Sequence, residues 1–383
     1  MKILFASDMS FNYIEQLPTV EKAKTAMSEA AAEFKKADFT MLNLENIFGD
    51  RETGTPIVKS GPNLISSDEF IHFVDALSPT AVGLANNHTG DFQGEPMFHT
   101  VRMLHDRGYQ TTGAGKDVDE AYIPVKFTKD GITVSVQAVC ENEFGTATDT
   151  ACGSAGYSLG RVTKFIQNAL KKGEKPIVYF HGGNEECAFP SMGKTELYRH
   201  FIDIGASAVI AMHTHCPQGY EIYNGAPIVY SMGNFFFPHA KPKAITWYIG
   251  YMSVLDVSND GVKLSTVPYR FDKDGIKLLT GEALENFESY ICNLNSIIAD
   301  DRRHKEMWDA WCARWGMGNY IKHVVNDVAE LDDLKRVVKL KNIFSCEAHN
   351  ELITDTLRLL YDGKLEQAKE FIDYTKQLQN PEI

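Results

Sequence analysis

Six short segments in roughly the first 240 residues each carry a group that binds hard divalent cations. They read Phe5-Ala6-Ser7-Asp8, Asn43-Leu44-Glu45, Ala85-Asn86-Asn87-His88, His181-Gly182-Gly183, Met212-His213-Thr214-His215 and Ser231-Met232-Gly233-Asn234. Two carboxylates, an amide beside a histidine, a lone histidine and a His-x-His pair make up the ligand mix of a two-metal hydrolase. No segment is specific alone. Their order, and the apolar run that precedes four of them, makes the set informative.

Open α/β sheets place such groups just past the ends of strands. Residues 2–6 read as a buried strand delivering Asp8, 39–45 as a second, and 81–84 as a third running into Asn86-Asn87-His88. Strands over 133–139, 176–180 (feeding His181), 208–211 (feeding His213 and His215) and 228–230 continue the series. Between them, helices are expected over 19–36, where Ala and Lys dominate, and over 68–77, 95–107, 160–172 and 194–203, with Gly108 as a C-terminal stop. Residues 247–257 and 262–268 read as longer strands joined at Asn259-Asp260-Gly261, a hairpin signal. From about residue 282 to 379 the pattern is helical, with Trp308, Trp311 and Trp315 clustered and no ligand cluster expected. His213 and His215 alternate along what reads as extended chain, which would point both rings to one side.

At 383 residues the chain exceeds a usual single domain, so a large core plus one further region is expected. A formal net charge of −13 argues against a nucleic-acid-binding or anionic-membrane surface, yet leaves room for an anionic substrate at a metal-containing pocket. Seven cysteines, without CxxC pairs or dense spacing, point to a reducing compartment. Cys187 and Cys216 read as buried thiols near the ligand segments. The start of the chain has no signal-peptide pattern and no stretch is long enough to span a membrane, so a cytoplasmic protein without membrane insertion is expected. Gly113-Ala114-Gly115-Lys116 is no phosphate loop, which removes an ATP-dependent ligase from consideration.

Together the segments resemble the CapA (poly-γ-glutamate capsule synthesis) family, related to calcineurin-like metallophosphoesterases. The resemblance rests on Asp8, Asn43-Leu44-Glu45, Ala85-Asn86-Asn87-His88, His181-Gly182-Gly183, Met212-His213-Thr214-His215 and Tyr230-Ser231-Met232-Gly233-Asn234-Phe235, with Lys59-x-Gly61 and Gly113-Ala114-Gly115 also fitting. It covers about residues 1–270. It implies an α/β fold: a four-layer α/β/β/α metallophosphatase-like sandwich over 1–280, followed by a C-terminal helical appendage over 281–383. Gly182 stands where the family has Trp, which predicts a more open pocket. Met212 replaces the first His of the family's G-H-x-P-H, and Thr214 its Pro, which leaves His-x-His.

The resemblance also implies roles. Glu45 sits where the wider superfamily places a bridging Asp. Asp8 and His215 would hold one ion, and Asn87, His181 and His213 the other, with Mn, Fe or Zn the fitting metals. Ser10 replaces a superfamily histidine, so the first of the two divalent ions would be only partly occupied. His88 is the candidate general acid, as an imidazolium near the working pH. Asn43 and Asn234 would orient ligands. Asp91 would orient His88 or cap the next helix, and Glu185 would touch substrate or a metal-bound water. Asp8 and Glu45 also suit helix N-caps, but both end apolar runs. The remaining histidines, His349 among them, read as solvated or core residues. A phosphoesterase acting on an anionic small molecule or polymer is the leading expectation. A non-enzymatic accessory of poly-γ-glutamate synthesis is the alternative.

Overall fold

The computed structural model describes residues 1–52, 54–328 and 331–383. Its α/β architecture is built on two large sheets. In the eight-stranded sheet the order is Gly275–Leu278, Gly261–Asp272, Ile249–Ser258, Lys2–Met9, Phe39–Leu44, Ala81–Gly83, Gln110–Thr112, with Asn234–Phe236 also pairing on Lys2–Met9. The six-stranded sheet runs Val125–Lys129, Ile132–Cys140, Lys175–His181, Ala208–Met212, Ala226–Val229, Tyr220–Tyr223. Strands pair in parallel through the middle of each sheet, and the ends of those strands carry the candidate ligands. The hairpin expected at Asn259-Asp260-Gly261 closes with Ser258 paired to Gly261.

Side-chain alternation along the first strand explains the layering. Ile3 and Phe5 join Val134, Val136, Ile177, Tyr179 and Ile210 in one apolar cluster, so the sheets face each other. Leu4 and Ala6 turn the other way, to a cluster with Ala23, Ala30, Phe34, Val74 and Leu104 from helices. Val178, Phe180 and Val209 on the six-stranded sheet likewise meet Val162, Ile166, Tyr198 and Phe201. Both outer faces are thus covered by helices.

Residues 19–36 form two helices, Val20–Ala26 and Ser28–Phe34, rather than the single one expected. The hydroxyls of Thr25 and Ser28 bond the carbonyls of Glu21 and Thr25, and Met27 leaves helical geometry at ψ 2°. Among the described residues beyond 280 the regular structure is helical, from Gly281–Ala299 and Asp301–Trp315 to Ile372–Gln377. These helices share the inter-sheet core: Phe287, Leu294, Trp308 and Trp311 belong to the same cluster as Tyr179 and Tyr251. No helix among the described residues is long and apolar enough to cross a membrane.

Leu294 is fully buried at this junction. Leu294→Ala is expected to destabilise the whole protein by about 2–5 kcal/mol, read as one shifted urea transition by far-UV circular dichroism and by tryptophan fluorescence. Two separated transitions would show that the helices unfold independently of the sheets.

Candidate metal centre

On the first strand Asp8 lies in register with Asn43 on one neighbour and Asn234 on the other. Asn43 Nδ2 donates to Asp8 Oδ1 at 2.7 Å, and Asp8 Oδ2 accepts the His213 backbone N–H at 2.9 Å. Burial raises the Asp8 carboxyl, but the adjacent His181 and His215 and this N–H outweigh it and hold the group below its ordinary range.

Glu45 follows the second strand, tied back by its N–H to Met9 O at 2.9 Å. It is fully buried, and neither carboxylate oxygen has a hydrogen-bond partner. Its Oε1 lies 3.7 Å from His181 Nε2 and 3.9 Å from the Nε2 atoms of both His88 and His215. Burial, then Asp8, Glu185 and Glu143, push this carboxyl well above its ordinary range.

His181 ends its strand, with Nε2 2.9 Å from His213 Nδ1 and 3.2 Å from Asn87 Oδ1, and Nδ1 3.3 Å from Asp8 Oδ1. His213 and His215 also come to the site, but not along an extended chain. The strand stops at Met212, and the two residues take left-handed conformations, φ 97° and 55°. Such backbone costs on the order of 1–3 kcal/mol per residue and persists where the surroundings over-determine it. Here Asp8 pins the His213 N–H, and Asn234 Oδ1 pins His215 Nδ1 at 2.8 Å. Burial, reinforced by His181, holds both imidazoles at about 4, so each is neutral and keeps a lone pair. Two ligand sets result, each with donor atoms within 4.8 Å of one another and with Glu45 common to both: Asp8, Glu45, His215 and Glu45, His181, His213.

His88 presents Nδ1 to Asp91 Oδ2 at 2.6 Å. Asp91 does not cap the next helix, which is preceded by Gly94 with no side-chain cap. Lys59, itself ion-paired to Asp91, lies 3.2 Å from the same His88 nitrogen. Burial and then Lys59 push the imidazole below its ordinary range, against the pull of Asp91. The cation beside His88 was not legible in the sequence pattern, because Lys59 comes from a loop 29 residues earlier.

The Gly182 position is not open. A Cβ there would stand 2.6 Å from Glu141 Cγ and 2.7 Å from a Phe180 ring carbon. The Glu141 carboxylate, ion-paired to the buried Lys194 and accepting the Gly183 N–H at 3.1 Å, occupies that space. Glu185 stands exposed on the following loop and lines a cavity of about 460 Å³ with Lys59, Asn87, His88 and Glu143. Trp311, Trp315, Tyr320 and His349 of the C-terminal helices form another part of its wall.

Two residues of that region join one of the core in a ligand-type cluster: Glu143, Cys346 and His349 converge, with His349 Nε2 3.2 Å from Glu143 Oε1 and Tyr320 Oη 2.8 Å from Nδ1. The sequence carried a usable signal for Glu141 and Glu143, which follow an apolar strand as Asp8 and Glu45 do. It carried none for His349, 206 residues away on a helix. Cys187 and Cys216 are buried, and the Cys216 thiol bonds Cys187 O at 3.0 Å.

A family model described as bacterial capsule synthesis protein PGA_cap matches residues 3–239. The PGA biosynthesis protein CapA of Bacillus subtilis is 24% identical over 233 residues, 60% of this chain and 61% of that protein. The capsule biosynthesis protein CapA of Bacillus anthracis is 26% identical over 181 residues, 46% of this chain and 44% of its own. A probable polyglutamine synthesis accessory protein of Mycobacterium tuberculosis is 29% identical over 175 residues, 42% of this chain and 45% of its own. The match thus spans about half the length of these curated relatives. With the family model covering more than half of the chain, this protein belongs to the PGA_cap (CapA) family of bacterial capsule synthesis proteins.

Proposed function

We propose that the chain is a metal-dependent phosphoesterase taking two divalent ions, on a four-layer α/β/β/α core with the helices after residue 280 as an appendage. Glu45 carries this reading. A buried carboxylate with two bare oxygens costs several kcal/mol unless a cation joins it. Two of the site's imidazoles do not supply that charge, because burial holds His213 and His215 at about 4. Carboxylates, an amide oxygen and neutral imidazoles suit Mn, Fe or Zn better than Ca. Asp8, Glu45 and His215 would hold one ion, and Glu45, Asn87, His181 and His213 the other. Such ions, when bound, activate a water and neutralise charge on a phosphoryl oxygen.

The chain's own groups prepare that chemistry. Asn43 fixes the Asp8 carboxylate, and Asn234 fixes the His215 ring so that Nε2 is turned to Glu45. Asp91 accepts from Nδ1 of His88, so Nε2 would carry a proton to a departing oxygen in the imidazolium form, which Asp91 favours against burial and Lys59. The adjoining cavity has room for an anionic small molecule or the end of a polymer. That relatives are described as a capsule biosynthesis protein and a probable polyglutamine synthesis accessory protein favours a second reading, a non-enzymatic accessory of capsule synthesis that binds an anionic chain here. Both readings share the metal; turnover separates them.

Glu45 sets a pH signature for the metal-free protein. Its folded pKa lies above the ordinary 4.5, so stability present below that pH is lost as pH rises through the folded value. In EDTA near neutral pH, Glu45→Gln should therefore be more stable than wild type by about 1–3 kcal/mol. The same variant should lose the rise in melting temperature that manganese or zinc gives wild type. A variant less stable without metal and still stabilised by it would contradict the assignment.

His88→Ala should keep its metal and lose about 10²–10⁴-fold in turnover of an alkyl phosphate, with a much smaller loss on an aryl phosphate whose leaving group needs no proton. Equal losses on both would point to substrate positioning. The active, protonated His88 is depleted as pH rises, and Asp91 raises its pKa. Asp91→Asn should accordingly move the falling limb of the alkyl-phosphate profile to lower pH; an unmoved limb would remove His88 as the acid. Absence of turnover on any phosphomonoester or phosphodiester would favour the accessory reading.

A further inference from the structure

Cys346 and His349 stand at the start of the helix Glu347–Tyr361, as its N-cap and its third residue, positions whose side chains converge. Glu143, which follows the strand Ile132–Cys140, meets them there although 206 residues separate it from His349. One donor atom from each of the three lies within 4.8 Å of the other two, and none of the three belongs to the centre around Glu45. Cys346 is buried, while the side chains of Glu143 and His349 are 10% and 25% exposed and line the adjoining cavity, which gives an ion a path to the cluster.

Thiol, imidazole and carboxylate together are a ligand mix that suits zinc. An ion pair between His349 and Glu143 accounts for only part of the arrangement. Glu143 Oε1 takes both contacts, His349 Nε2 at 3.2 Å and Asn342 Nδ2 at 3.5 Å, while Oε2 is buried with no hydrogen-bond partner. A buried carboxylate oxygen left bare is costly unless a cation meets it. Tyr320 Oη, 2.8 Å from His349 Nδ1, holds the ring with Nε2 toward Glu143. A metal-ligating histidine is oriented in this way, donating its other N–H to a neighbour. Tyr320 belongs to Gly316–Ile321, a π-helical turn, a rare geometry that recurs at functional sites.

Cys346 also comes within 4.8 Å of Glu141 and Glu347, but those carboxylates are taken. Lys194 and the Gly183 N–H hold Glu141, and Asn142 donates its N–H and Nδ2 to Glu347 at 2.9 and 2.7 Å. Glu143 is the neighbour with an oxygen to spare.

We propose that Glu143, Cys346 and His349 form a zinc site separate from the Glu45 centre, whose ion staples the C-terminal helices to the six-stranded sheet beside the cavity. The ion is resident, bound as the chain folds. On binding, Cys346 Sγ gives up its thiol proton and His349 Nε2 the proton it shares with Glu143, both to solvent, while Nδ1 keeps its hydrogen for Tyr320. A water from the cavity completes the four ligands. The thiolate favours zinc over manganese. Because this site is already filled, the rise in melting temperature on adding metal reports the Glu45 centre. The zinc site does not depend on the phosphoesterase reading.

The test uses full-length protein made in cells supplied with zinc or, in parallel, with cobalt, and then dialysed against EDTA. Wild type should retain about one zinc per chain, and the cobalt form should show a thiolate-to-cobalt charge-transfer band in the near ultraviolet. Cys346→Ser and His349→Gln should each lose the retained ion and the band, and Glu45→Gln should keep both. Tyr320→Phe should keep the band and weaken zinc by roughly tenfold in competition with a fluorescent zinc indicator. Where Cys346→Ser fails to fold, the half-buried His349→Gln and Tyr320→Phe give the same readings. No retained zinc, no charge-transfer band, a band that survives Cys346→Ser, or a band lost in Glu45→Gln overturns the proposal. A site that behaves as expected in a wild type that turns over no phosphoester would sustain the zinc staple and defeat the phosphoesterase reading.

Discussion

Glu45 is a carboxyl group that the protein buries without giving either oxygen a partner. Both oxygens are buried and unbonded, three imidazole nitrogens stand 3.7–3.9 Å from one of them, and a second buried carboxylate, Asp8, lies in the same centre. In a low-dielectric interior such charges repel, and the burial that raises the carboxyl also keeps His213 and His215 uncharged. Without a cation the carboxyl is driven toward its protonated form; a cation from outside the chain would let it stay ionised. Most other local features serve that end: Asn43 and Asn234 flank Asp8 in register, and Asp91 turns the His88 ring.

The two sheets supply the rigidity such a centre needs. Asp8 and Glu45 come from one sheet and His181, His213 and His215 from the other, so each ligand set draws on both sheets and the inter-sheet apolar cluster sets the distances within it. Left-handed backbone at His213 and His215 is the local strain this entails, held in place by Asp8 and Asn234. The C-terminal helices share the same core and form part of the cavity wall, so their packing shapes that cavity as well as stability.

Much of this was legible in the sequence because apolar runs ending on Asp8, Glu45 and His181 announce strand ends, and the alternation of strands and helices announces parallel pairing. What lay beyond it depended on distant partners. His-x-His is compatible with an extended chain; the turn that places both rings is pinned by Asp8, 205 residues away. Gly182 suggested open space, but Glu141, fixed by Lys194 from a later helix, fills it. Likewise Lys59 becomes meaningful only once the fold sets it beside His88 and Asp91, and His349 only once its helix meets Glu143.

The most direct measurement is anomalous diffraction at the manganese edge from crystals grown with that ion. The expected result is scattering peaks within coordination distance of Glu45: a strong one shared with Asn87, His181 and His213, and a weaker one shared with Asp8 and His215. No peak beside Glu45, or manganese held only at Glu143, Cys346 and His349, would contradict the central claim that the buried carboxylate exists to bind metal.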